Sequence, residues 1–258
     1  MKANYHTHTP RCQHAVGTDE DYVRAALDGG FETLGFSDHT PWPFASGYVS
    51  GIRMGMELLP DYIASIRALK AKYASILPIY LGLEVEYFPR YKEHMLHMRD
   101  EGVQYFILGQ HYLSSEEDHP YIGRACVEDD NVLRYGDAVA EGLQTGLFAY
   151  VAHPDLYCRS RPEFDKVCQR TADVISQAAL EADVPLEYNL LGLRCELDGQ
   201  GRGYPAPAFW EYLRGRGHRA ILGVDAHNPE SLRDTFLWEE GQRRLLALGY
   251  PVQEFINL

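Results

Sequence analysis

Three of the eleven histidines in this 258-residue chain, His6, His8 and His14, fall within NYHTHTPRCQH near its start. They are interleaved with Thr, Pro, Arg and Cys, which is not the pattern of a uniform histidine run. Neutral imidazole is the commonest protein metal ligand, and together with carboxylate it suits Zn, Mn or Fe. Further candidates follow at intervals: His39, Glu84, His111, His153, Asp225 and His227. Spacing adds information, because residues two apart on a strand face the same side. His6 with His8, and Asp225 with His227, can therefore each grip one ion. A single site needs three or four protein ligands. Nine candidates, with one carboxylate bridging, imply two or three ions. Glu86 lies two residues beyond Glu84 on the same strand face, so it competes for the ligand role or orients a ligand imidazole.

These residues need elements that bring them together. Amphipathic segments with helix start and stop signals cover 18–30, 56–74, 91–102, 132–146, 161–183, 208–217 and 237–249. Apolar runs between them read as strands over 31–39, 76–88, 103–113, 147–156, 184–193 and 218–227, after a first strand ending at His6 and His8. This alternation predicts an α/β fold with a parallel sheet and crossover helices, open or closed into a barrel. In a parallel barrel the strand C-termini form the active face, and the candidate ligands sit there. Residues 40–55, 114–131 and 194–207 read as long loops over that face. His94 and His97 lie mid-helix and His218 begins the last strand, so these read as structural or surface residues; the role of His119 is open.

The composition narrows the function classes. Acidic residues outnumber basic ones 37 to 24, for a formal charge of −13. That balance disfavours a general nucleic-acid partner. Five scattered cysteines with no CxxC read as free thiols in a reducing compartment. The opening residues lack a signal-peptide apolar region and no stretch reaches about 18 apolar residues, so a cytoplasmic protein without a membrane partner is expected. Residues 1–258 read as a single domain without linkers or repeats. The sequence does not set the oligomeric state.

The segments HTHTPRCQH, FSDHTP, GLEVEY, LGQHYL, VAHPDL and GVDAHNP resemble, in order and spacing, the PHP (polymerase and histidinol phosphatase) superfamily. The opening motif with FSDHTPWP is most similar to its monofunctional histidinol-phosphatase branch. The resemblance runs from His6 to His227 and implies a distorted (βα)7 barrel with outer helices and three divalent ions (Mn, Zn or Fe). Carried onto this sequence, His6, His8, Glu84 and Asp225 would hold the first ion. Glu84 would bridge to a second ion completed by His111 and His153. His14, His39 and His227 would hold the third. The implied activity is hydrolysis of L-histidinol phosphate, a small phosphate monoester, in histidine biosynthesis. Its nucleophile would be a metal-bound hydroxide held by Glu84, His111, His153 and Asp225.

Phosphate also calls for arginine, whose planar fork matches its oxygens. Arg159 and Arg194 are the preferred candidates, with Arg161 a further one. Tyr112 and Tyr121 could donate hydroxyl hydrogen bonds. Asp155 and His119 are candidate proton donors to the leaving group, and Asp38, Glu86 and Asp155 could meet a cationic substrate tail. The alternatives are another small phosphomonoester or nucleotide as substrate, an amidohydrolase, or a non-catalytic PHP accessory module.

Overall fold

The computed structural model describes residues 3–201 and 203–257. Seven strands form one sheet in sequential order, every neighbouring pair parallel: β1 (Ala3–Asn4), β2 (Thr33–His39), β3 (Ile79–Val85), β4 (Tyr105–Leu108), β5 (Phe148–Val151), β6 (Leu186–Asn189) and β7 (Ala220–Gly223). Beyond the ends of β1 and β7 the chain pairs again, Thr7 with Ala226, which brings the sheet round into a nearly closed barrel. The crossovers carry α1 (Asp19–Asp28), α2 (Leu59–Lys72), α3 (Lys92–Asp100), α4 (Ile122–Ala125), α5 (Asp129–Gln144), α6 (Lys166–Glu181), α7 (Leu190–Leu197) and α8 (Pro207–Leu213). Two more helices, α9 (Glu230–Arg233) and α10 (Thr235–Ala247), follow β7. This is the parallel α/β arrangement that the alternation predicts, closed into the (βα)7 barrel that the resemblance implies. Among the described residues no helix is long and apolar enough to cross a membrane, and all five cysteines are free thiols.

Strand alternation divides the core in two. Phe106, Leu108, Val151 and Leu222 point outward into the main core with the helices, while Tyr105, Ile107, Tyr150 and Ile221 point into the barrel. Inside, the Tyr105 hydroxyl donates to the carbonyls of Tyr5 and Phe36, both at 2.9 Å. Gly82 makes this possible, because a Cβ there would lie 2.3 Å from the Tyr105 ring. The C-terminal segment pairs with the start of β7 (Gln253 N to Ala220 O, 2.7 Å) and places Ile256 in the same interior cluster.

Several boundaries differ from the sequence reading. The first strand stops at Asn4, short of His6 and His8. Tyr5 packs in the interior cluster, yet His6 also meets inward-facing acids, and two consecutive residues cannot share one side of a regular strand. The Asn4 side chain spans the irregularity: its amide donates to His6 O (3.1 Å) and Thr7 Oγ1 (2.8 Å) and accepts from Val224 N (2.8 Å). The strand expected over 184–193 ends at Asn189, whose side chain caps α7 by accepting from Gly192 N at 2.9 Å. Arg194 is therefore on a helix, not in a loop. Residues 114–131 likewise contain α4 and the start of α5.

Candidate metal centre

All nine predicted ligands converge at the C-terminal end of the barrel. Glu84, near the end of β3, is 1% exposed and lies between five imidazoles. Its Oε1 faces His153 Nε2 (2.8 Å), His111 Nε2 (3.4 Å) and His6 Nε2 (3.5 Å). Its Oε2 faces His39 Nδ1 (2.9 Å) and His8 Nε2 (3.6 Å). Gly109 leaves the space this carboxylate occupies, since a Cβ there would sit 2.1 Å from Oε1. Asp225 Oδ1 meets His8 Nε2 (3.2 Å), His227 Nδ1 (3.3 Å) and His6 Nε2 (3.5 Å). The third predicted group is also assembled: potential ligand atoms of His14, His39 and His227 all lie within 4.8 Å of one another.

The residues fit metal ions on their own chemistry. Among the described residues, ten buried side-chain nitrogen or oxygen atoms lack a hydrogen-bond partner, and seven of them belong to this cluster: His6 Nε2, both ring nitrogens of His8, His39 Nδ1, Glu84 Oε2, His153 Nδ1 and His227 Nε2. Buried polar atoms left unpaired are costly, about 1–3 kcal/mol each, so such a concentration marks a site built for something else. Two of the candidate ligands also carry unfavourable backbone: His153 and Asp225 have φ of 31° and 51°, a region that non-glycine residues seldom adopt.

Charge points the same way. Burial opposes ionisation of Glu84 and Asp225, but the surrounding imidazoles hold both well below the usual carboxylate range. Burial also lowers His6, yet Glu187, Asp225 and Glu84 outweigh it and raise that imidazole to about 10. For His39 and His227 burial prevails, taking His39 well down and His227 to about 3. Two anionic carboxylates thus sit among imidazoles of which some are protonated and some are not. Metal ions replace those protons when they bind such a cluster.

Around the ligands runs a layer of orienting groups. Glu187 Oε2 accepts from His6 Nδ1 at 2.7 Å, and Asn189 Nδ2 donates to Glu187 Oε1 (2.7 Å) and Asp225 Oδ2 (3.1 Å). His14 Nδ1 bonds the Cys12 carbonyl (2.7 Å) and His227 Nδ1 the Asp225 carbonyl (3.1 Å). Each such bond fixes a tautomer and leaves Nε2 for an ion. Glu86 lies against His111 Nδ1 at 3.1 Å and is not among the Glu84 cluster, as the orienting alternative for it has it.

A cavity of about 490 Å³ opens over the cluster. Ile52, Tyr112, Tyr121, Arg124, Leu191 and Tyr204 form its walls. Tyr112 and Tyr121 are where the sequence places them, and the Tyr121 ring stacks on His111 at 6.2 Å.

The other substrate-binding candidates fare differently. Arg159 lies outside the lining, its guanidinium 5.7 Å from the Tyr121 ring. Arg194 is one helical turn beyond Leu191 on α7, and its guanidinium pairs with Asp234 rather than entering the cavity. Arg161 is turned away, bound to Asp129 (2.9 Å), Asp165 and the Val127 carbonyl. Asp155 is buried and accepts from Ala206 N (2.6 Å) and Trp210 Nε1 (3.1 Å), so it holds the 204–210 segment and is not placed to meet substrate. Asp38 is likewise buried, against Thr9 and His8. His119 bonds Ser114 Oγ at 2.7 Å, outside the cavity lining.

Sequence reasoning missed Glu187, Asn189, Arg53 and Arg124. An ionisable residue inside the buried PLEY run is a signal for Glu187, and the two-residue step to Asn189 is a second. Arg124 carries no such signal.

The PHP domain model matches residues 4–190. A Deinococcus radiodurans protein named probable histidinol-phosphatase is 36% identical over 233 residues, covering 87% of this chain and 85% of its own length. The Bacillus subtilis histidinol-phosphatase is 31% identical over 126 residues, 46% of this chain and 47% of that protein. The crystal structure of histidinol phosphate phosphatase from Lactococcus lactis, complexed with Zn, L-histidinol and phosphate, aligns with a TM-score of 0.75 at 18% identity, covering 100% of this chain and 99% of that one. With the family model spanning most of its length and the ligand cluster assembled at the strand ends, the chain belongs to the PHP domain family.

Proposed function

We propose that residues 1–258 form a single domain that hydrolyses L-histidinol phosphate to L-histidinol and phosphate, using three divalent ions of the Zn, Mn or Fe class. The observation that carries this reading is the group of seven buried atoms without a hydrogen bond on His6, His8, His39, Glu84, His153 and His227. The activity named for the Deinococcus relative and the ligands in the Lactococcus crystal support the substrate. His6, His8, Glu84 and Asp225 would hold one ion, Glu84, His111 and His153 a second, and His14, His39 and His227 a third. Ions bound there lower the pKa of water to about 7 and offset charge on phosphoryl oxygens.

The chain's own groups supply the rest. Glu187, Glu86 and the Cys12 and Asp225 carbonyls hold four imidazoles in fixed orientation. Arg124 lines the cavity, and its guanidinium makes no hydrogen bond or ion pair among the described residues. It is the cation placed to meet an entering phosphate. Arg159 flanks it, and Arg194 can join by exchanging Asp234 for phosphate. With Asp38, Glu86 and Asp155 buried and paired, the imidazole and amine of the substrate face the rings of Tyr112, Tyr121 and Tyr204, which suit stacking and cation–π contact.

The test is phosphate release by metal-reconstituted protein from L-histidinol phosphate, p-nitrophenyl phosphate and a nucleoside monophosphate. The expected kcat/KM for histidinol phosphate is at least about 10⁴ M⁻¹s⁻¹, well above the other two. Comparable weak turnover of all three would move the reading to another small phosphomonoester. No release with any metal would move it to an accessory module.

A further inference from the structure

The side chain of Arg53 is 1% exposed and lies in the irregular 40–55 segment, which offers no periodicity to forecast its burial. Its guanidinium uses three faces. Nη2 donates to Glu86 Oε1 (2.8 Å) and Nη1 to Glu86 Oε2 (3.0 Å), a two-pronged pair. Nη1 also donates to the Thr40 carbonyl (2.9 Å), and Nε to Glu116 Oε2 (2.8 Å). Both carboxylates are buried.

Each partner leads on. Glu86 accepts from Trp42 Nε1 (3.0 Å) and orients His111 through Oε1 (3.1 Å). Glu116 accepts from Ser50 Oγ (2.8 Å) and the Tyr48 hydroxyl (3.1 Å), fastening the 114–119 segment to the 40–55 segment. The Arg53 carbonyl accepts from Gln13 Nε2 (2.8 Å), next to His14. One buried residue, through its guanidinium and its backbone carbonyl, thus joins the segments that carry His14, His39 and His111 and the cavity-wall residues Ile52 and Tyr112.

We propose that Arg53 is a positioning residue: it fixes Glu86, and through Glu86 the imidazole of His111, so that metal binding depends on a side chain that touches neither metal nor substrate. The proposal rests on the reading of His111 as a ligand. Lysine cannot replace the guanidinium, because an ammonium cannot address two carboxylates and a carbonyl in the planar, fixed directions that arginine does. Removing Arg53 alone leaves Glu86 and Glu116 as buried carboxylates without their cation, whereas removing the Glu86 charge as well relieves part of that penalty.

The experiment is a zinc titration of the metal-free full chain against a chromogenic chelator, with melting of each metal-free variant followed in parallel. Arg53→Met and Arg53→Lys are expected to weaken at least one zinc site by about tenfold to a hundredfold. Glu86→Gln should weaken the same site, and Arg53→Met/Glu86→Gln should weaken it no further than Glu86→Gln alone, while melting above Arg53→Met. Zinc affinity of Arg53→Met equal to wild type, or losses that add in the double variant, would overturn the proposal. His111→Ala in the same titration separates the two levels: if it also binds like wild type, the ligand reading fails; if it alone loses the site, only the role of Arg53 fails.

Discussion

Towards the N-terminal end of the barrel, Ala3, Tyr5 and Tyr105 fill the interior with Tyr80 packed against them, and the Tyr105 hydroxyl has two acceptors. At the C-terminal end β2, β3 and β6 turn inward His39, Glu84, Glu187 and Asn189, and seven buried atoms of the cluster have no well-formed hydrogen bond. Both ends obey the same alternation, so the difference lies in what the inward residues can satisfy among themselves. The lower end closes its own packing and hydrogen bonds and supplies stability. The upper end keeps charge and buried atoms without hydrogen bonds, with left-handed backbone at His153 and Asp225, and on the proposed reading the ions it binds complete it.

That contrast can be broken at either end. The largest effect is expected from Glu84→Gln, which removes the charge between five imidazoles. Bound metal should be lost and phosphate release should fall by at least about 10²–10³-fold, the scale of losing a preorganised electrostatic group, while circular dichroism stays native; metal analysis and phosphate assay check this. Glu187→Gln keeps the fold but weakens the hold on His6, and should lower metal affinity by about 10–100-fold in a chelator competition.

The lower end should respond in stability alone. His218 lies buried against Ser176 Oγ (2.7 Å), and burial with nearby Arg216 takes its imidazole from 6.5 down to about 4. The folded pKa is below the unfolded one, so the unfolded chain binds more protons between these values. This contribution is full above pH 6.5 and is lost as pH falls towards 4. By pH 5 the loss reaches about 2 kcal/mol, and His218→Gln should flatten that part of a urea-denaturation profile. Tyr105→Phe should cost about 1–2 kcal/mol of stability by stripping a buried donor from two carbonyls, with metal content and kinetics unchanged.

The residues that converge in the candidate cluster were legible because their signals are local. Paired spacings such as His6–His8, and acids and histidines that interrupt apolar runs, need no tertiary information. The helix order and the parallel topology followed from amphipathic segments alternating with apolar ones. What failed depends on long-range contacts. The break after Asn4 is held by Val224, some 220 residues away in sequence. NLLGL is apolar enough to continue a strand, and only the Asn189 cap turns it into α7. Arginines in irregular segments give no sign of where their guanidinium ends: Arg161 and Arg194 find aspartates, Arg53 is buried and Arg124 faces the cavity.

The most direct test of the central claim is anomalous diffraction from crystals of this protein grown with zinc and measured at the zinc absorption edge. Three peaks are expected at the C-terminal end of the barrel, one beside His6, His8 and Asp225, one beside His111 and His153, and one beside His14, His39 and His227, with Glu84 between the first two. A cluster without zinc, or zinc bound only elsewhere on the surface, would contradict it.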